Sequence, residues 1–122
     1  MAGLEIKSVK SPEERRPFKD KGGVAVVNVG GHPVLYGTFE PGWKWSVHVG
    51  RATGAKSCAV EHIGMVLSGR ATAAMDDGRV IEMKAGDVFY IAPGPDSWVV
   101  GYEPYVSIHL LGADAYASKK KP

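Results

Sequence analysis

Glycine and proline set the grain of this chain. Sixteen glycines and eight prolines are spread along 122 residues, and the stretches between them are short and rich in Val, Ile, Thr, Tyr and Trp. Residues of these types suit the pleated, half-buried surface of a strand, whereas Gly and Pro interrupt regular structure. The spacing therefore predicts many short strands joined by tight turns.

The runs can be taken in order. "GGVAVVNV" (residues 22–29) and "PVLYGTFE" (residues 33–40) flank "GGH", where paired glycines permit the positive φ of a hairpin. In "PGWKWSVHV", Trp43, Trp45 and Val47 alternate with Lys44, Ser46 and His48. That period of two predicts a strand with His48 on the face opposite the tryptophans. "GRATGAKS" (residues 50–57) reads as a loop, and "CAVEHIGMVLSG", "RATAAM", "RVIEMK", "VFYIA", "SWVVG" and "YVSIHLL" follow as strands, with Gly78 turning the chain at "DDG". A single helical turn is expected at "SPEERR", where Ser11 and Glu14 have capping-box spacing.

Roughly ten short strands without helices to cover a parallel sheet predict an all-β fold, an antiparallel jelly-roll β-barrel with little helix. The length suits one core. The expected organisation is an N-terminal arm over residues 1–20, a barrel over 21–112 and a basic tail over 113–122.

The formal net charge is +2, with much of the basic excess in the terminal "SKKKP", so no basic stripe interleaved with aromatics points to nucleic acid. No run approaches the roughly 18 apolar residues that cross a bilayer, and the charged start lacks the apolar block of a signal peptide. With the single Cys58 unable to form an internal disulfide, a cytoplasmic location is expected.

Three spacings carry a resemblance to a known family. Gly42 is followed by five residues and His48, as in the cupin motif G-x5-H-x-H-x4-E-x6-G; His62 is followed by six residues and Gly69. Between them the spacing is stretched, since His62 lies 14 positions after His48 where the motif has 7, and Gly50 stands at the second histidine. In "GDVFYIAPGPDSWVVG" Gly86 and Gly94 match the second motif, G-x5-P-x-G-x2-H-x3-N, while Ala92, Ser97 and Gly101 replace its proline, histidine and asparagine. The chain resembles the small single-domain cupins. A narrower group with H-x-G-x-V-L-S-G-R and M-D-D-G signatures is closer still, matched at Ser57, Cys58, His62, Gly64, Asp96 and Trp98, with Pro95 and Met65 departing from it.

The resemblance implies a jelly-roll barrel and, in most of its members, an interior transition metal held by three imidazoles and a carboxylate. By that analogy His48 and His62 are candidate ligands, His62 falling at the glutamate position. Alternation along "CAVEHIGMV" puts Cys58 on the same face as His62, and a His2Cys set suits zinc or copper. The same residues also read as an ordinary core histidine and a small buried thiol. Asp96 and Glu61 are the candidate proton-transfer groups, each with a turn-capping or hydrogen-bonding alternative. Trp45, Met65, Tyr90, Ser97 and Trp98 are candidate pocket residues, whereas His109 in "VSIHLL" is expected to face outward, opposite Val106, Ile108 and Leu110.

Three functions compete. The leading expectation is a cupin that binds a divalent transition metal (Zn, Ni, Fe, Mn or Cu) and acts on a small organic molecule, with catalysis uncertain. The alternative is a metal-free small-molecule-binding or sensory cupin, and the third is a metal-free sugar epimerase of the wider jelly-roll group. A homodimer is expected, with the apolar "VAVVNV" run as the candidate pairing edge.

Overall fold

The computed structural model describes residues 3–18, 20–50 and 60–111. Nine strands and one short helix are defined among them: β1 (Glu14–Pro17), β2 (Gly22–Val29), β3 (His32–Phe39), α1 (Trp45–His48), β4 (His62–Ser68), β5 (Arg70–Ala74), β6 (Val80–Lys84), β7 (Val88–Ile91), β8 (Asp96–Val100) and β9 (Tyr105–Leu111). They form a six-stranded sheet in the order β1-β2-β3-β9-β4-β7 and a three-stranded sheet in the order β6-β5-β8. Every strand pairing is antiparallel. The core lies between the sheets.

Local sequence accounts for most of this. The "GG" turn places Gly30 at φ 58° and Gly31 at φ 79°, so β2 and β3 pair in register from Val29↔His32 to Gly22↔Phe39. Gly64 has a packing role. A Cβ there would stand 2.3 Å from the Ile108 carbonyl oxygen and 2.8 Å from the Phe89 ring, so only glycine lets β4 approach β9 and β7 this closely.

Two sequence readings are overturned. "SPEERR" gives no helical turn, because residues 14–17 form β1 and pair with β2. "WSVH" is a helical turn and not a strand. Its cause is a partner far along the chain: Asp96 Oδ1 accepts from the Ser46 N–H at 3.0 Å and Asp96 Oδ2 from the Ser46 hydroxyl at 2.8 Å. That carboxylate satisfies a first-turn amide that the N-cap residue, Lys44, leaves without a side-chain acceptor.

Aromatic residues fill one side of the core. Phe39 meets the Trp43 ring edge-on at 4.7 Å and packs against Phe18 at 5.4 Å and Tyr105 at 5.6 Å. The expected pairing edge is not an edge: β2 is flanked by β1 and β3, and residues 24–27 are buried within the chain. Among the described residues no helix is long and apolar enough to cross a membrane.

Candidate functional site

The two sheets enclose a cavity of about 50 Å³, lined from the large sheet by residues such as Phe39, His62, Phe89, Ser107 and His109, and from the other side by Ala71, Met83 and Ser97. Trp43 and Trp45, on either side of Lys44, complete the aromatic lining. Among the described residues no Asp, Glu, Lys or Arg lines the cavity.

Two histidines stand among its polar lining residues. Gly64 on β4 pairs with His109 on β9, and the pairing sets His62 and His109 on the inner face. Their Nδ1 atoms lie 3.0 Å apart, and His109 Nε2 lies 2.9 Å from the Ser107 hydroxyl. Both rings are buried, at 4% and 7% exposure. Burial pushes the His62 imidazole down to about 4, and burial together with the neighbouring His62 pushes His109 down to about 3.

Neutral imidazoles fix the logic of the chain of contacts. Each ring carries one N–H, so one Nδ1 donates and the other accepts. If His109 Nδ1 donates, its Nε2 accepts from Ser107 and His62 keeps its proton on Nε2. In the reverse polarity His109 Nε2 donates to Ser107, and His62 Nε2 becomes an acceptor. Whichever direction holds, the role of His62 Nε2 is coupled to Ser107 through two rings.

His109 corrects the sequence reading, which placed it outward. Tyr105, Ser107 and His109 are the buried face of β9, and Val106, Ile108 and Leu110 form the outer one. The interior of this barrel is partly polar, so choosing the apolar set as the inner face inverted the strand.

The other candidate residues separate. Trp45 and Ser97 line the cavity with His62. Met65 and Tyr90 do not: they alternate out of phase with His62 and Phe89 and lie on the outer face at 40% and 55% exposure. Trp98 is half-buried outside the cavity, with Lys44 Nζ over its ring at 5.4 Å. His48 is on α1, where its Nδ1 accepts from the Lys44 N–H at 3.0 Å, and it is not among the lining residues. Glu61 accepts from the Tyr90 hydroxyl at 2.6 Å. Asp96 is committed to Ser46 and to the Ser97 N–H at 2.9 Å. Neither carboxylate lines the cavity. Cys58 lies outside the described residues.

Two imidazole nitrogens 3.0 Å apart match adjacent ligands on bonds of about 2.1 Å only at an angle near 90°, below the tetrahedral angle of a zinc site. Among the described residues no three His, Cys, Asp or Glu side chains come together as a ligand group. The described residues do not make a closed metal set.

With fold and cavity defined, comparison with known proteins identifies the architecture. No family model and no curated protein matches the chain. Solved structures do. A Rhizobium leguminosarum protein of unknown function matches with a TM-score of 0.60 at 17% identity, covering 90% of this chain and 97% of that one. A Klebsiella pneumoniae protein with a double-stranded β-helix domain matches with a TM-score of 0.57 at 20% identity, covering 95% of each. An R92A mutant of Bacillus subtilis oxalate decarboxylase matches with a TM-score of 0.55 at 23% identity over 87% of this chain, which spans 28% of that one. The fold is the double-stranded β-helix.

Proposed function

We propose that this chain is a metal-free cupin that binds a small organic molecule inside the barrel, with the His62–His109 pair as the polar anchor of the site. The observation that carries this reading is the pair itself. Two neutral imidazoles joined at 3.0 Å lie in a cavity whose other walls are mainly aromatic and aliphatic, the composition of a small-ligand pocket. The two candidate proton-transfer carboxylates, Asp96 and Glu61, are engaged elsewhere, which favours a binding or sensory role over proton-transfer catalysis.

The oxalate decarboxylase neighbour raises oxalate as a ligand. The described lining argues against it here, because among the described residues a dianion entering this cavity would lose hydration without meeting a Lys or Arg. A thermal-shift and NMR screen of neutral fragments tests the proposal. Saturable shifts at His62 and His109 are expected, and a library that stabilises nothing and shifts neither ring would sink it.

The spacing of the two Nδ1 atoms favours a second reading, a divalent transition metal held at that edge. Titration with Zn(II) and Ni(II) separates the two. Metal binding lost in both His62→Leu and His109→Leu would replace the metal-free reading.

We further propose a homodimer formed through the outer face of the large sheet. Ile63, Met65 and Leu67 on β4, Val88 on β7 and Leu110 on β9 are exposed between 39% and 74%, on adjacent strands, with no charged side chain among them. An apolar patch of this kind, bordered by the Tyr90–Glu61 pair, can meet its own copy across a two-fold axis.

A further inference from the structure

The outer face of the large sheet carries a second concavity, a groove of about 530 Å³ over β1, β2 and β3. Strand register makes it. Arg15, Ala25 and Tyr36 form one cross-strand row and Pro17, Gly23 and Thr38 another, so β2 places an alanine and a glycine between larger residues on either side. Gly23 cannot be larger, because a Cβ there would stand 2.9 Å from Pro17 Cα. Two strand spacings, roughly 10 Å, separate Arg15 from Tyr36, with the methyl of Ala25 as the floor between them.

Two cations, Lys10 and Arg15, line this groove. Arg15 Nη2 donates to the Lys10 carbonyl at 2.8 Å, which joins the N-terminal arm to β1 and fixes the guanidinium. A guanidinium offers five N–H donors in a planar fork, more than one carbonyl can take. The neighbouring carboxylates are committed to other donors. Glu14, which alternates to the opposite face of β1 from Arg15, accepts from Arg16 at 2.7 and 3.0 Å, and Glu13 accepts from Lys7 and from the Asn28 N–H at 3.3 Å. Across the floor, half-buried Tyr36 and Thr38 add a flat ring and two hydroxyls to the lining.

The geometry points to a binding site for a small organic phosphate monoester, with its phosphoryl group on Arg15 and Lys10 and its organic body along the Ala25–Gly23 floor beside Tyr36. A phosphate monoester carries close to two negative charges at neutral pH, which two cations match better than they match a single carboxylate. The guanidinium fork takes phosphate oxygens in pairs, and the lysine adds a mobile point charge. The groove of about 530 Å³ falls within the roughly 300–1,000 Å³ of small-molecule sites, more than a phosphate group alone fills. This site lies on the opposite face of the sheet from the histidine cavity and does not depend on it.

Calorimetric titration of the full chain with phenyl phosphate, inorganic phosphate, benzoate and phenol tests the site. Phenyl phosphate is expected to bind about tenfold or more tightly than each of the other three, and to move the backbone amide signals of Gly22 and Gly23 in NMR spectra. Arg15→Gln is expected to weaken it about tenfold and Lys10→Gln about threefold, whereas Arg79→Gln, which removes an exposed cation next to β6, is expected to leave it unchanged. Equal losses in Arg15→Gln and Arg79→Gln would reduce the effect to net charge and overturn the site. Inorganic phosphate or benzoate binding as tightly as phenyl phosphate would overturn the ligand class. No binding of phenyl phosphate at millimolar concentration, or shifts confined to His62 and His109, would overturn the proposal and leave the histidine cavity to its own screen. The native-chain amide shifts decide even where a variant does not fold.

Discussion

Asp96 at the start of β8 holds Ser46 of α1 through two hydrogen bonds, one to the amide at 3.0 Å and one to the hydroxyl at 2.8 Å. This contact fastens the two-tryptophan segment to the small sheet. Asp96→Ala is therefore expected to cost about 2 kcal/mol, in the range of lost caps and of hydrogen bonds to a charged group. Urea unfolding monitored by tryptophan fluorescence measures it, and an unchanged midpoint would show that α1 is held by its apolar contacts alone.

The histidine pair makes stability depend on pH. Both folded-state values lie below the ordinary 6.5, at about 4 and about 3. The unfolded chain therefore binds more protons between those values and 6.5, and stability must rise with pH through that window. It is fully present above pH 6.5 and falls as pH drops toward 4. The His62 ring alone accounts for roughly 3 kcal/mol. The loss begins above the pH at which carboxylates protonate, so the His62→Leu/His109→Leu variant should flatten the curve between pH 6.5 and 5.

The pair should also be non-additive. Removing one ring leaves the other's Nδ1 buried without its partner, at about 1–3 kcal/mol, whereas removing both leaves neither. A double-mutant cycle over His62→Leu and His109→Leu is expected to give a coupling of at least about 1 kcal/mol. Additive losses would mean that the rings are merely adjacent.

Gly64→Ala should be among the costlier single-methyl additions in the molecule. Its Cβ would fall 2.3 Å from the Ile108 carbonyl oxygen, an atom of a central strand that cannot move alone. A loss of roughly 2 kcal/mol or more is expected by thermal unfolding. Native-like stability would mean that β4 and β9 can separate locally.

Light scattering checks the assembly. The native chain is expected to run as a dimer at micromolar concentration, and Met65→Glu and Val88→Glu to run as monomers with their secondary structure intact. A monomeric native chain would remove the outer face as an interface.

The strands were legible because their signal is local. The glycine pair at 30–31 and the alternation of β4 specify turn and phase without reference to anything distant. The helical turn at Trp45–His48 was not, because its sequence alternates like a strand and the acceptor that decides the matter lies 50 residues away. The site was half legible. Spacing to Gly69 brought out His62 and put it inside, where it is buried. His109 was missed because a polar interior reverses the usual rule for choosing the buried face of a strand. The signal that could have found it is the run of Tyr105, Ser107 and His109 at a period of two.

Met83 gives the cavity a compliant wall. It is the buried residue of β6, whose other four residues are exposed, and its Sδ meets the hydroxyl of Tyr105, which packs against Phe39. One boundary thus carries interlocked rings, and the opposite one, with Ala71 and Ser97, an unbranched thioether with three rotatable bonds. If the cavity is a ligand site as proposed, a molecule that outgrows it is expected to be accommodated by side-chain rotation at Met83, leaving the ring-lined boundary in register, so that such a site would grade ligands by length on one side and by shape on the other.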